Sequence, residues 1–224
     1  MSAAFPVDPA VHARIRPMEA RDVPAVAAQH HAAMGRSLWA RLGVPFLEAI
    51  YAGLLRDPRF LGYVYDHEGG LGGFIAGSTD TDAMRRAVLR ARAVPLARAA
   101  ARGLVRAPDV LPLLLETGRY GDRSGARDVP AESLFCSFVP ALRGTRVSGH
   151  INKVLFEALR DRGHRAVKVT TEQDNADARR QLARWGFEER AAFTFYGKAM
   201  VTCVLDLDAC VRLDAPPGGV AGGG

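Results

Sequence analysis

Residues 132–149, with the sequence ESLFCSFVPALRGTRVSG, carry the pattern that decides the expected fold. The first eight residues are mostly apolar or aromatic and are followed by Pro140, which is typical of a strand. A small, basic turn, RGTRVSG, comes next. Apolar side chains then recur at the i, i+3, i+4, i+7 and i+8 spacing of an amphipathic helix, at Ile151, Val154, Leu155, Ala158 and Leu159. This order predicts a strand, a glycine-containing turn and a helix.

The start of this helix has the character of an anion-binding site. The amides of a first helical turn have no partner within the helix, and the helix dipole favours negative charge there. Arg143 and Arg146 add two positive charges at the same end. Cations are disfavoured at a helix N-terminus unless an anion compensates them. The arrangement predicts a ligand that carries phosphates; the alternative is a strand–turn–helix unit that binds nothing.

Length and composition limit the class of protein. A chain of 224 residues with 48% hydrophobic content can bury one sizeable core, with room for an insertion. We find neither a signal peptide nor an apolar run of the ~18–20 residues that span a membrane. Cys136, Cys203 and Cys210 are too few and too irregularly spaced for a disulfide framework or a zinc site. We therefore expect a cytoplasmic protein without a metal, with flexible tails at 1–11 and 208–224.

The elements around the central unit follow a regular alternation. Residues 165–171 are predicted as a second strand, parallel to the first and joined to it by a right-handed crossover. Asn175 is placed to cap the next helix, and Gly186 to end it. His30 and His31 close an earlier helix, where cations are favoured, unless they contact a substrate. The other predicted elements are strands at 12–17, 60–65, 71–78, 187–195 and 198–207, and helices at 22–34 and 44–56.

Residues 81–130 interrupt the single domain expected at 12–207. Helical spacing is broken at Pro95, and residues 118–130 have the composition of a loop. The stretch is rich in arginine, and arginine supplies nearly all of the cations behind the formal charge of +6. A solvated helical face, coding bias and an anionic partner are the possible reasons. No aromatic residues alternate with the arginines, so nucleic acid is not expected. The arginines lie at positions 85, 86, 90, 92, 98, 102 and 106.

Three sequence blocks together resemble the GNAT superfamily of acyl-CoA N-acyltransferases. Residues 15–22 match a pattern IRPxxxxD that resembles the family's first strand and helix start. AESLFCSFVP at 131–140, followed by RGTRVS at 143–148, resembles its fourth strand and pyrophosphate loop, Q/R-x-x-G-x-G/A. NxxAxxxLxxxGF at 175–187 resembles its NxxAxxxYxxxGF block. The resemblance leaves residues 81–130 unmatched.

The resemblance implies an α/β (α+β) fold with a central, mixed and mostly antiparallel sheet. A splayed parallel strand–helix–strand unit, flanking helices and a helical insertion complete it. It also implies an N-acetyltransferase that moves the acetyl group of acetyl-CoA to a primary amine of a small molecule or peptide by direct attack. The alternative is a non-catalytic acyl-CoA-binding sensor or scaffold.

The resemblance also assigns cofactor-binding residues. Backbone of Phe138 and Val139 would pair with the pantetheine arm, and the Val139 N–H could polarise the thioester carbonyl. Asn175 caps its helix and could also touch the cofactor. The pyrophosphate would meet Arg143, Gly144, Thr145, Arg146, Val147, Ser148 and Gly149.

Glu132 lies where related enzymes often keep a catalytic glutamate, and the attacking amine needs a base. It could act directly or through a water; the other interpretation is a surface glutamate at a strand edge. Two positions depart from the family pattern. Arg146 replaces the first glycine of the loop, unless a shifted register puts Gly149 there, and Ser148 takes the G/A position. Leu182 stands where many members have a tyrosine thought to protonate the thiolate.

The insertion is expected to lie near the acceptor. It connects the third strand to the fourth, close to Glu132, so it could form a wall or lid whose arginines meet a carboxylate or phosphate of the acceptor. The alternative is a homodimer contact through the apolar residues of the insertion, which are Val88, Leu89, Leu96, Leu104 and Val105.

Overall fold

The computed structural model describes residues 4–34, 37–111, 125–195 and 197–213. Within these residues, seven strands form one sheet in the order β1-β2-β3-β4-β5-β7-β6. All neighbouring strands are antiparallel except β4 and β5, which are parallel. The strands are β1 (Ile15–Pro17), β2 (Phe60–His67), β3 (Gly70–Ser78), β4 (Glu132–Phe138), β5 (Ala166–Glu172), β6 (Glu188–Phe195) and β7 (Lys198–Asp206).

Helices cover both faces of this sheet. The helices of the described residues are α1 (Pro9–His12), α2 (Val23–Ala33), α3 (Leu38–Arg41), α4 (Val44–Leu54), α5 (Thr81–Ala91), α6 (Ala93–Arg106), α7 (Val147–Asp161) and α8 (Ala176–Trp185). The predicted mixed, mostly antiparallel sheet with flanking helices is confirmed.

Alternating side chains divide the interior into two cores. On β3, Phe74 and Ala76 pack with α2 and α4, whereas Ile75 packs with α7 on the opposite face. The second core also contains Trp185 of α8, whose ring meets that of Phe156 edge-on at 5.2 Å between centroids. The alternation of side chains along each strand therefore determines which residues pack against the helices on each face of the sheet.

The motif IRPxxxxD is a structural device at the start of the fold. The Arg16 guanidinium lies between two carboxylates, 2.7 Å from an Asp22 oxygen and 2.8 Å from an Asp66 oxygen. Its hydrogen bonds lower the pKa of the Asp22 carboxyl. Asp22 precedes α2 as expected, but its side chain accepts the Glu19 N–H and does not cap that helix. The ion pairs thus tie the start of α2 to β1 and β2.

Both chain ends differ from the expected flexible tails over the residues that the structure describes. Phe5 is 6% exposed and Leu213 is 2% exposed, and both belong to the core beneath α7. Phe5 donates its N–H to the Arg212 carbonyl at 3.2 Å. Sequence composition missed this because the anchoring contacts join residues from opposite ends of the chain. Residues 214–224 lie outside the described part.

The insertion forms helices α5 and α6, as predicted, but the break lies at Arg92 rather than at Pro95. Pro95 lies in the first turn of α6, where a missing N–H costs no helical hydrogen bond. Val88 and Leu96 are buried against this chain's own core, so the prediction that they could contact a second subunit is wrong. Of the loop predicted at 118–130, residues 118–124 lie outside the described part.

Close backbone packing anchors the insertion to the fold. A Cβ on Gly103 of α6 would lie 2.5 Å from the Leu42 carbonyl oxygen, so only glycine permits this approach. A Cβ on Gly53 of α4 would lie 2.8 Å from a methyl of Val88 in α5. Both helices therefore rest on the layer formed by α3 and α4.

Candidate active site

Strands β4 and β5 diverge to form a cleft within the sheet. Their only register pair in the described chain is Glu132 with Lys168, at the start of β4. Over the same strand, β3 stays paired with β4 as far as Phe138. The predicted splayed pair is therefore confirmed, with its closed end at Glu132 and its open end toward α7.

The register of β3 and β4 decides which backbone groups face the cleft. Val139 donates its N–H to the Gly72 carbonyl at 2.9 Å, and its own carbonyl accepts the Leu142 N–H at 3.0 Å. The suggested role of the Val139 N–H in polarising a thioester is therefore wrong for this conformation. Because orientation alternates along an antiparallel strand, Phe138 and Cys136 direct their N–H and C=O groups toward β5.

Cys136 is not an activated nucleophile. Burial of its thiol raises the pKa to about 12, so the group stays protonated at neutral pH. Its side chain lies on the α7 face of β4, opposite Ile75 of β3. Its contribution to the cleft is the backbone of β4.

A tight turn carries the chain from β4 to α7. Gly144 has φ +75°, a conformation that favours glycine, and a Cβ there would meet no atom within 4 Å. The Thr145 hydroxyl donates to the Leu142 carbonyl at 2.7 Å and closes the turn. Arg143 and Arg146 are exposed on either side of Gly144. The predicted basic turn is therefore present and open to solvent.

The N-terminus of α7 carries no compensating negative charge of its own. The side chain of its N-cap residue, Arg146, makes no capping hydrogen bond, and its first turn contains no acidic residue. The Thr145 hydroxyl accepts only the Val147 N–H, at 3.4 Å. Ser148 and Gly149 are its second and third residues, whose amides have no acceptor within a helix. The structure thus brings Arg143, Gly144, Arg146 and Ser148 to one helix start, as the sequence predicted.

The other side of this helix start is covered by the N-terminal segment. A Cβ on Gly149 would lie 2.4 Å from the Phe5 ring, so Gly149 serves as a packing position for that ring. His150 is fully buried; its Nδ1 bonds the Arg146 carbonyl at 2.9 Å and its Nε2 accepts the Asp8 N–H at 2.8 Å. These partners assign the proton to Nδ1. Sequence analysis missed His150 because its second partner lies 142 residues away.

Glu132 is buried, with 2% of its surface exposed, so its interpretation as a surface glutamate is wrong. It lies at the closed end of the cleft, opposite Ser78 of β3 and Lys168 of β5. Lys168 is 5% exposed and donates its Nζ–H to the Ala126 carbonyl at 3.3 Å. Two ionisable side chains are thus held at the point where the two strands meet.

A second buried polar group lies between α2 and the sheet. His30 is fully buried, and its Nδ1 lies 2.8 Å from the Tyr51 hydroxyl. Burial lowers the pKa of His30 to about 4, so the imidazole is neutral at pH 7. The interpretation of His30 as a cation at the end of α2 is therefore wrong. Its ring packs 4.7 Å from that of Phe135 in β4, and its Nε2 has no hydrogen-bond partner among the described residues.

The block at α8 has a structural role in the chain. The Asn175 side chain accepts the Ala178 N–H at 3.1 Å, which confirms the predicted cap. Gly186 ends the helix in the left-handed conformation, with φ +92°. Leu182 is partly buried and packs against the second core. Within the part of the chain that the structure describes, no group of three or more His, Cys, Asp or Glu side chains could hold a metal ion.

Solved structures with similar folds are acetyltransferases. The ribosomal-protein-alanine N-acetyltransferase from Brucella melitensis has a TM-score of 0.55 and 16% identity, covering 86% of this chain and 98% of that chain. Ard1 from Thermoplasma volcanium gives 0.55 and 16%, with 86% and 95% covered. A protein assigned to the GNAT family from Desulfovibrio desulfuricans gives 0.54 and 10%, with 86% and 98% covered. At these identities the likeness shows the fold.

One curated relative is similar over a short region. A mycothiol acetyltransferase from Brachybacterium faecium is 37% identical over 67 residues, which cover 30% of this chain and 20% of that protein. The match therefore spans about a fifth of the relative's length. No family model matches the chain.

The chain has the GNAT fold, which confirms the fold that the resemblance of its sequence implied. In this chain, the splayed β4–β5 pair and the turn before α7 lie where the sequence motifs predict them.

Proposed function

We propose that the chain is an N-acetyltransferase that uses acetyl-CoA to acetylate a primary amine of a small molecule or peptide. The observation that carries this proposal is the cleft between β4 and β5, which closes at Glu132 and opens toward the N-terminus of α7, where basic side chains are present and acidic ones are absent from the first turn. An extended ligand with phosphates at one end fits such a cleft, because strand edges and a helix start face it together. The chain contains only three cysteines, which supports the cytoplasm as the location.

The residues around the turn fit the phosphates of such a cosubstrate. The amides of Ser148 and Gly149 are available as second and third amides of α7, and exposed Arg143 and Arg146 can pair with phosphate oxygens. Phe5 packs against the Cα of Gly149, so phosphates would approach from the side of Gly144 and Ser148. The arginine at position 146 is compatible with a bound pyrophosphate only if its side chain is turned onto the ligand or into solvent.

The cleft gives the cosubstrate arm a backbone partner. Phe138 and Cys136 present N–H and C=O groups toward β5, where the described chain has no strand pairing beyond Glu132 and Lys168. An amide-containing arm could therefore continue the sheet by hydrogen bonding to these two residues. Phe138 is thus retained from the sequence prediction as a backbone partner of the arm. Cys136 takes the place of Val139 as the second partner.

The chemistry requires a base near the closed end of the cleft. Acetyl-CoA supplies an activated acyl group, and the acceptor amine must be neutral to attack it. Glu132 lies within the cleft's closed end and is buried, so it would take the proton directly or through one water. Leu182 offers no proton for the departing thiolate, and that proton would come from water.

A second candidate function is a non-catalytic acyl-CoA-binding sensor or scaffold. The observations that favour it are Leu182, which packs into the core in place of an acid, and Arg146, which replaces a loop glycine. Both candidates require cofactor binding, and they differ only in turnover.

One experiment tests both candidates in sequence. Thermal unfolding is followed with and without millimolar acetyl-CoA, and a panel of amines and peptides is then screened for acetylated products by mass spectrometry. A rise in melting temperature with acetylated product supports the transferase. A rise without product from any amine supports the sensor. No rise at millimolar acetyl-CoA contradicts both.

A further inference from the structure

The positive charge of this chain is concentrated in the insertion. Residues 81–111 contain seven arginines and two aspartates, a net charge of +5, while the whole chain carries +6. The rest of the chain is therefore almost neutral, although it also contains many arginines. Coding bias would spread the excess over the whole sequence, so it does not explain this distribution.

The arginines of the insertion mostly face solvent. Arg86 and Arg90 are exposed on α5, and Arg98, Arg102 and Arg106 are exposed on α6. None of these five forms an ion pair with another described residue; the two aspartates of residues 81–111 pair with Arg85 and with Arg41 of α3. The outer face of the two helices is therefore strongly basic.

Exposed apolar side chains are concentrated in the same segment. Five large hydrophobic residues of the described chain are exposed, and four of them belong to residues 81–111: Leu89, Val94, Val105 and Leu111. Val94 is 61% exposed and Val105 is 86% exposed, although both belong to a well-formed helix. Exposed apolar side chains that cluster on one element indicate an interaction surface.

Helical spacing places two of these apolar side chains in line. Val94, Arg98, Ala101 and Val105 follow the i, i+4, i+7, i+11 spacing of one helical stripe. This stripe is opposite to the buried one at Leu96, Ala99 and Gly103, which packs on the fold. Helix α6 thus has one apolar stripe for the core and a second stripe, mixed with arginine, that nothing in the described chain covers.

The chemistry of this face narrows the choice of partner. A second copy would bring arginine against arginine, which disfavours self-association. Single-stranded nucleic acid is held by stacking on aromatic side chains, of which residues 81–111 contain none, and the phosphates of a duplex offer no apolar partner to exposed valines. Arginines that surround aliphatic side chains match an anionic lipid surface, where headgroups attract the charge and the aliphatic tips enter the interface.

We propose that the outer face of α5 and α6 binds an anionic phospholipid surface. The stripe at Val94, Arg98, Ala101 and Val105 forms the contact, with Arg86, Arg90, Arg102 and Arg106 around it. The core stripe of α6 stays packed on α3 and α4, so the fold does not open. This binding is independent of acetyl transfer and requires no cofactor.

The test is sedimentation of the full chain with vesicles of phosphatidylcholine alone and with 30% phosphatidylglycerol. We expect binding only to the anionic vesicles, and weaker binding as salt rises. The variant R98Q/R102Q/R106Q should bind on the order of 100-fold more weakly, because each arginine near such a surface contributes about fivefold. The matched control R14Q/R162Q/R184Q removes the same charge from exposed positions elsewhere and should stay within about threefold of the parent chain.

A second variant, V94S/V105S, separates a lipid surface from a merely acidic partner. It keeps every charge, and its loss of binding to the anionic vesicles at low salt should be several-fold, whereas a purely ionic contact would be unchanged. Circular dichroism checks that each variant is folded. The proposal is overturned if the chain does not bind anionic vesicles, if both arginine triples lose binding equally, or if V94S/V105S binds like the parent chain.

Discussion

Glu132 and Lys168 form the one register pair between β4 and β5 in the described chain, and they are 2% and 5% exposed. Their pairing fixes the closed end of the cleft. From Glu132 to Phe138 the strand extends roughly 20 Å at its usual rise of about 3.3 Å per residue. The cleft is therefore long enough to hold an extended arm with its reactive end near Glu132 and its charged end near α7.

Glu132→Gln tests the carboxylate at this position. If Glu132 accepts the proton of the amine, the change lowers turnover by about 100-fold or more and leaves acetyl-CoA affinity unchanged, because general base catalysis typically contributes ~10²–10⁴. Steady-state kinetics with an accepted amine and thermal shifts with acetyl-CoA measure the two quantities. Glu188→Gln, an exposed glutamate of β6, serves as the control. Unchanged turnover across pH would remove Glu132 from the mechanism.

Ser148→Asp should affect the free and the bound chain in opposite directions. A carboxylate in the first turn of α7 interacts favourably with the helix dipole and should stabilise the free chain by about 0.3–1 kcal/mol. The same charge repels phosphates and should abolish the stabilisation by acetyl-CoA, which reaches ~2.7 kcal/mol at a hundredfold excess over the dissociation constant. Ser148→Asn, which is neutral, is the control. If the Ser148→Asp variant keeps the full thermal shift with acetyl-CoA, the phosphates lie elsewhere.

Gly149→Ala tests the packing of the N-terminal segment. The new methyl group would meet the Phe5 ring at 2.4 Å, so we expect a loss of about 1–3 kcal/mol in the free energy of unfolding. In a Phe5→Ala background the same change should be neutral or stabilising by up to about 1 kcal/mol, because alanine is the better helix former. Denaturant unfolding of the four chains gives the coupling. Additive effects would mean that Phe5 does not cover Gly149 in solution.

The lowered pKa of His30 predicts that the folded chain loses stability in weak acid. Its pKa is about 4 in the folded chain, against the ordinary value of 6.5 that applies to the unfolded chain. Between these values the unfolded state binds more protons, so the free energy of unfolding falls as the pH falls, by about 3 kcal/mol in total. The contribution is fully present above pH 6.5. Carboxylates with lowered pKa values, such as Asp22, add losses only below about pH 4.

The double variant H30F/Y51F isolates this contribution. Changing His30 alone would leave the buried Tyr51 hydroxyl without its partner, at a cost of about 1–3 kcal/mol. Urea unfolding at about pH 7, 5.5 and 4.5 should show a smaller pH dependence for the double variant than for the parent chain. His12→Asn, at an exposed position, should leave the dependence unchanged. An unaltered slope in H30F/Y51F would assign the titration to another group.

The fold was predictable where local pattern and tertiary structure agree. The apolar stripe of α7 and the cap at Asn175 depend on neighbours within one or two turns, and both are confirmed. Pro95 misled the helix boundary because a proline breaks a helix interior but is tolerated in the first turn. The sequence pattern allowed a helix that is broken at Pro95 as well as a helix that begins just before it, and only the start of α6 distinguishes the two.

The site was predictable as a set of residues but not as a set of contacts. Arg143, Gly144 and Ser148 lie together because they are close in sequence. Val139 donates its N–H to Gly72 because of the register of β3 and β4. A one-residue shift of that register would point the same N–H away from β3. The burial of His30 and the position of Phe5 over Gly149 depend on segments far apart in the chain.

The contact between Phe5 and Arg212 bears on the order in which the chain can fold during synthesis. The Arg212 guanidinium lies 5.3 Å from the centre of the Phe5 ring and 5.1 Å from that of Trp185, so residues from both ends meet over α8. Contacts of such high sequence separation form late, since loop closure must precede them. On the ribosome, β1 to β3 and their helices can assemble early. The start of α7 can receive its last supporting contacts only after Arg212 has emerged, so the helix that carries the basic turn is completed later than β1 to β3.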